Sequence, residues 1–319
     1  MKLIFDPEVR NIIKQYLKKN KFVFDDNRNI KNLNITGIDE IGNLLKERVT
    51  ESRKEAKEYI SKELSVAFLG VKTLGTLSLC INSEKNGSDP IKKNWAGDNK
   101  PNPNFVFQQL VVQLTNYSLS VIHLIEVGLD SSAKPIVRSI HELSLLIIVL
   151  LIDKERINLF TQDLDRANER EIWRQYFSFK KINTVLKEFE DSLKLPEEIK
   201  KKLEEVRMNV YSDYSQSIHN SYVSSILGSL SLSHEDSEDL NLNLFGKYSV
   251  TSKQILSDLG LSLFNFLFLI QPVLKNHHNF LIPMDNNVWS LFLCLKDCYA
   301  NAYLYVTYYK DIKKLKQSK

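Results

Sequence analysis

From Leu143 to Ile152 every residue except Ser144 is large and apolar. Such a run leaves no position for a solvated face and belongs at the centre of a fold. It completes a longer segment, Asp130 to Asp153 (DSSAKPIVRSIHELSLLIIVLLID), whose first half has a different character. There Arg138, His141 and Glu142 stand at steps of three and four, and a period of 3.6 places them on one face of a helix. Ahead of it, Phe105 to about Val127 carries a second helical pattern. The turn Gly128-Leu129-Asp130 supplies a glycine near the first helix's C-cap, with Asp130, Ser131 or Ser132 as N-cap of the next and Pro135 within its first turn. So short a turn makes an αα-hairpin of antiparallel neighbours, which brings His123 and Glu126 towards the opening turns of the second helix.

The same alternation predicts further helices on both sides. Asp6-Pro7 starts a short amphipathic helix with Val9, Ile12, Ile13, Tyr16 and Leu17 on one side, and residues 22–36 are irregular. A long helical pattern runs from about Ile38 to about Ile81, charged in its middle and apolar at its end, with Gly70 and Gly75 marking a break or a close helix contact. Residues 82–104 form a long loop whose one large apolar side chain is Trp95. After Asp153 the chain turns polar, with Leu159, Phe160, Leu164, Ile172, Trp173, Tyr176 and Phe177 as the inward positions of one or two surface helices. Pro196 opens the next helix. Residues 231–248 read as an acidic loop, and Thr251 or Ser252 caps a core helix through Leu274 that Pro272 kinks or ends. Asp285 opens a last helix carrying Cys294 and Cys298, and the row Tyr299, Tyr303, Tyr305, Tyr308 and Tyr309, which packs against a core or a subunit.

The class that follows is all-α: a multi-helix bundle around a buried central helix at about 130–153. Ten Gly and eight Pro in 319 residues are too few, and too irregularly placed, for a sandwich or a βαβ repeat. Residues 1–37 read as a helical N-terminal extension and 38–319 as a single all-helical domain. Lys and Arg number 43 against 39 acids, and a net charge of +4 selects no partner by itself. Cys80, Cys294 and Cys298 make no even framework, and MKLIFDPEVR lacks the apolar core of a leader, so a cytoplasmic location is expected. Residues 136–152 and 255–274 are interrupted by Arg138, His141 and Glu142, and by Asp258, Asn265 and Gln271. Neither provides about 20 uninterrupted apolar residues, so no membrane span is expected. His234 in the acidic loop, the adjacent His277 and His278, and the two cysteines one turn apart lack the fixed additional ligands of a metal site, and the thiols are expected to be buried. No cofactor is implied.

A second polar stretch follows at YSDYSQSIHNSY, 211–222. On a helix Tyr211, Ser215, His219 and Tyr222 share a face, a hydrogen-bonding stripe that would need buried partners, which the Arg138 face could supply. R-S-I-H-E at 138–142, followed by an apolar run and an acid, and Y-S-D-Y-S-Q-S-I-H at 211–219 together resemble an uncharacterised family of bacterial all-helical proteins. That family carries an R-S-x-x-E helix and a later Ser/Tyr-x-x-x-His helix, and the resemblance spans roughly 105–230. Such proteins are similar to the HEPN helical superfamily, whose active members are ribonucleases or nucleotidyltransferase partners, frequently in toxin or phage-defence loci. The usual HEPN ribonuclease pattern has four to six residues between Arg and His, whereas two separate Arg138 from His141.

The resemblance implies a polar centre of Arg138, Glu142 and His219, with RNA or a nucleotide as ligand. A metal-independent ribonuclease needs a base, an acid and a cation for the phosphate. His219 or His141 would move the protons, Arg138 would hold the phosphate, and Tyr211, Ser215 and Tyr222 would line the site. The competing reading is a non-enzymatic interaction or regulatory subunit, in which the same residues form a structural network because buried charges must be paired. Nothing resembles a nucleophile elbow, which disfavours a Ser215–His219 hydrolase. The aromatic excess of the last helix points to a homo-oligomer or a partner protein.

Overall fold

The computed structural model describes residues 7–19, 35–82, 95–96, 100–101, 103–161, 166–218, 229–232, 240–243, 246–276 and 287–317. Its elements are α1 (Pro7–Lys19), α2 (Ile35–Tyr59), α3 (Ser61–Asn82), β1 (Trp95–Ala96), β2 (Lys100–Pro101), α4 (Pro103–Glu126), α5 (Asp130–Ile152), α6 (Lys154–Phe160), α7 (Arg166–Ile172), α8 (Phe179–Ser192), α9 (Glu197–Ile218), β3 (Leu230–Leu232), β4 (Leu240–Leu242), α10 (Thr251–Asn276) and α11 (Asn287–Gln317). A π-helical turn, Trp173–Phe177, joins α7 to α8. The bundle is all-α; among the described residues the strands form two small antiparallel pairs, β1 with β2 and β3 with β4.

The apolar run sits where its pattern requires. Every residue from Leu143 to Leu151 is buried, and α5 is enclosed by α4, α8, α9 and α10. A helix without a polar stripe gains from apolar cover on all sides, at about 25 cal/mol for each Å² removed from water. Helix α3 is a second centre, packed against α4, α10 and α11. The close contact there is at Gly70, where a Cβ would lie 2.9 Å from Leu263 Cδ1 and 3.0 Å from Tyr299 Cε2. Neither Gly70 nor Gly75 breaks the helix. The bend falls at Ile60, where the backbone ladder persists from Ile60 N to Ala56 O (3.0 Å) and from Leu64 N to Ile60 O (2.9 Å).

The hairpin between α4 and α5 turns at Gly128, whose φ of +73° suits glycine. It crosses a second tight point at Gly246, φ +87°, so closely that a Cβ on Gly246 would lie 2.1 Å from the Val127 carbonyl oxygen. This crossing places the N-termini of α5 and α10 side by side. Asp130 therefore does not cap its own helix, which begins after Leu129 with no side-chain cap. Its buried carboxylate instead accepts hydroxyl protons from Ser249 (2.6 Å), Thr251 (2.7 Å) and Ser252 (2.9 Å), tying the two helix starts together. Pro135 lies beyond the first turn, inside the helix, and Pro272 lies within α10, which runs on to Asn276.

Several expectations change. Cys80 is buried, but Cys294 and Cys298 are exposed. In the tyrosine row Tyr299 and Tyr303 are core residues while Tyr305 and Tyr308 face outwards. The expected absence of a membrane span does not hold. Ser61–Ile81, Asp130–Ile152 and Thr251–Leu274 are long and apolar enough to cross a membrane by length and composition. These three candidate spans also overturn the cytoplasmic location expected from the cysteines and the lack of a leader. A span tolerates a few polar interruptions, so an unbroken apolar run is too strict a requirement, and α3, whose apolar half holds the single charge of Lys72, meets the looser one. In the fold, 56%, 67% and 56% of the most apolar window of these three helices is buried among the other helices. Ile35 and Thr36, expected to be irregular, instead open α2. Residues 22–34, most of the 82–104 loop, His234, His277, His278, Asp285, and the side chain of Tyr309 lie outside the described residues.

Candidate functional site

Two polar groupings flank α5, and they divide the residues that the sequence had placed on one face. The first opens to solvent. Arg138 Nε donates to Glu142 Oε1 at 3.0 Å, one helical turn along, and the Arg138 side chain is only 13% exposed. Its guanidinium lies 4.5 Å from the centre of the Tyr211 ring on α9. The Tyr211 ring in turn stacks on Phe179, at the start of α8, with centroids 3.9 Å apart and an interplanar angle of 15°. Two groups this close must take opposite faces of Tyr211. The guanidinium plane is thereby fixed by one ion pair and one ring, and the Nη groups have no protein acceptor among the described residues.

These residues line a pocket of about 610 Å³, within the size range of small-molecule sites. Its floor is apolar, made by Leu143 and Leu146 of α5 and Ile182 of α8. Its outer wall is the α7–π-turn segment, which contributes Arg170, Trp173, Arg174 and Phe177. A π-turn adds one residue to the helical period and rotates the following side chains. Here Phe177 turns into the core while Trp173 remains 48% exposed, their rings 5.5 Å apart. The turn is braced by Arg156, which donates to the Tyr176 carbonyl and to Asp153 Oδ2 (2.8 Å). Asp153 also accepts from the Glu155 and Arg156 amides to cap α6. Arg170 and Arg174 are exposed and form no ion pair among the described residues.

The second grouping is closed. His141 is 1% exposed and turns away from the pocket. Its Nε2 lies 3.2 Å from the Arg207 carbonyl oxygen, which can only accept, so Nε2 carries the proton and Nδ1 accepts from the Ser262 hydroxyl at 3.2 Å. Burial lowers its pKa to about 4, against the partly offsetting bond to the Arg207 carbonyl. A neutral ring sealed from water cannot exchange protons with a substrate. Beside it the Arg207 side chain pairs bidentately with buried Glu190 and donates to Asn183 Oδ1 at 2.7 Å. Further along α9, Tyr214 donates to Asp258 Oδ2 at 2.7 Å, and burial pushes the pKa of both groups up.

Arg138, Glu142 and Tyr211 therefore come together, and His141 does not join them. A step of three from Arg138 carries His141 to the far edge of a stripe, where α9 and α10 cover it. Ser215 spends its hydroxyl on the Tyr211 carbonyl one turn back, and it does not line the pocket. His219 and Tyr222 lie outside the described residues; α9 is described to Ile218. Sequence reasoning missed Arg170, Trp173 and Arg174 as a group and read Trp173 as inward. The available signal was two arginines at i and i+4 flanking a tryptophan, in R-E-I-W-R, but the π-turn that aims them leaves no mark in the spacing. Among the described residues no cluster of three or more His, Cys, Asp or Glu could hold a metal.

Residues 104–268 match the model of a family of unknown function, DUF5677. That range runs from the start of α4 into α10 and holds every pocket residue and both polar groupings. No curated protein and no solved structure is measurably similar to the chain.

Proposed function

The chain belongs to the DUF5677 family of unknown function, and from that premise we propose that it is a helical effector that binds and acts on RNA or a nucleotide in the pocket between α5, α9 and the π-turn. The observation that carries this reading is the pairing of cations with aromatic faces in one cavity: Arg138, Arg170 and Arg174 beside Trp173. Arginine matches phosphate oxygens through a planar fork, and an exposed indole stacks a base whatever its identity. Arg138, pre-set by Glu142 and Tyr211, takes the phosphate without first having to order its own side chain. The HEPN-like part of the proposal, a metal-independent ribonuclease in a toxin or defence setting, rests on the sequence resemblance and assigns the proton transfer to His219. His141 has no part in it.

A competing reading is a non-enzymatic interaction or regulatory subunit, favoured by the fact that Arg138 already has a carboxylate partner and a ring beneath it. Isothermal titration of the full chain with adenosine 5′-monophosphate and with a short oligoribonucleotide, alongside a gel assay for cleavage of the latter, separates the readings. Binding that Arg138→Lys weakens supports the nucleic-acid role, and cleavage lost in His219→Ala with the fold retained supports the enzyme. No binding of either ligand rules out the nucleic-acid role.

A further inference from the structure

Resting on the reading of this pocket as an RNA or nucleotide site, we infer that the group it recognises is a terminal phosphate monoester on a nucleoside, and not a phosphodiester within a chain. Charge is the first argument. Among the described lining residues three arginines, Arg138, Arg170 and Arg174, face one carboxylate, Glu142, a surplus of two positive charges. A monoester carries a charge of about −1.5 to −2 at pH 7 and three strong acceptor oxygens, and so matches that surplus. An internal diester carries a single charge.

Geometry is the second. Arg138 is held at Nε by Glu142 and across its plane by Tyr211, which leaves its two Nη groups as the donors directed at a ligand. Two amino groups fixed in this way engage two oxygens of one phosphate end-on. The third argument is how the lining is divided. Leu143, Leu146 and Ile182 are buried and form an apolar base that offers a phosphate no partner, so the charged end of a ligand stays with the arginines. Trp173, 48% exposed and lining the same cavity, offers its indole to the base of that ligand.

The test is a calorimetric titration of the full-length protein with four probes: adenosine, adenosine 5′-monophosphate, and one short oligoribonucleotide with and without a terminal phosphate. The expected result is that each phosphorylated probe binds at least about tenfold more tightly than its unphosphorylated counterpart. Arg174→Ala, at an exposed position that the fold does not use, should narrow that preference, and circular dichroism would confirm the fold. If the mononucleotide gains from its phosphate and the oligonucleotide does not, free nucleotide is the source of the ligand; if both gain, a chain end is admitted. Equal affinity for the two oligonucleotides and for the two adenosine compounds would overturn the inference while leaving the RNA or nucleotide reading intact. Failure of all four probes to bind would overturn both.

Discussion

The His141 ring offers a prediction whose size follows from its surroundings. It is neutral in the fold, with a pKa near 4 against an ordinary value of 6.5. Above pH 6.5 the ring is neutral in both folded and unfolded chains, and its full contribution to stability is present. Between pH 6.5 and about 4 the unfolded chain takes up a proton that the folded ring refuses, and stability falls by about 1.4 kcal/mol for each pH unit. The difference of about 2.5 between the two pKa values makes the total loss about 3 kcal/mol, complete near pH 4. Other groups titrate in the same range, so the measurement compares wild type with His141→Gln. Glutamine keeps an N–H for the Arg207 carbonyl and an amide oxygen as acceptor for Ser262, loses the packing of the ring and does not titrate; at pH 7 it should cost about 1–2 kcal/mol. Urea unfolding followed by circular dichroism between pH 7 and pH 4 should show that gap closing and then reversing as the pH falls. A gap that stays constant over this range would refute the account of His141 as a sealed, neutral, structural residue.

Other consequences can be checked one at a time. Glu190→Gln leaves the buried Arg207 guanidinium facing a neutral amide and should cost about 3–5 kcal/mol in the same unfolding assay; a cost below about 1 kcal/mol would mean that the pair is hydrated. Gly246→Ala forces a Cβ against the Val127 carbonyl at a φ of +87° and should destabilise by at least about 2 kcal/mol or prevent folding, as read from the yield and melting temperature of the soluble protein. Trp173→Ala should leave stability nearly unchanged, because the indole is 48% exposed, while weakening nucleotide binding by about 1–3 kcal/mol. An unaltered dissociation constant would remove Trp173 from the site.

What the sequence makes legible is local and periodic. The ten-residue apolar run announces α5 and its burial, Gly128 announces the hairpin, and Pro196 announces α9. The Arg138–Glu142 pair is legible for the same reason, since a step of four on a helix is a contact. What the pattern does not carry is which neighbour covers which flank of a helix. His141 and Arg138 lie within one turn, yet one is sealed by Ser262, 121 residues away, and the other faces solvent across Tyr211. Asp130 looks like a helix cap because capping is a local rule, but the Gly128–Gly246 crossing brings three distant hydroxyls to it instead. The Arg170–Trp173–Arg174 wall depends on a π-turn, a shift of register that spacing rules built on 3.6 residues cannot express. The capacity to cross a membrane is not legible from unbroken runs: polar residues interrupt α5 and α10, yet both are long and apolar enough to span by length and composition.

The central claim is that the Arg138 pocket receives a nucleotide by its phosphate, and a crystal structure of the full-length protein with adenosine 5′-monophosphate tests it most directly. The expected result is a phosphate within hydrogen-bond distance of the Arg138 Nη atoms, with the base against Trp173. A nucleotide bound elsewhere on the protein, with this pocket occupied only by solvent, would contradict it.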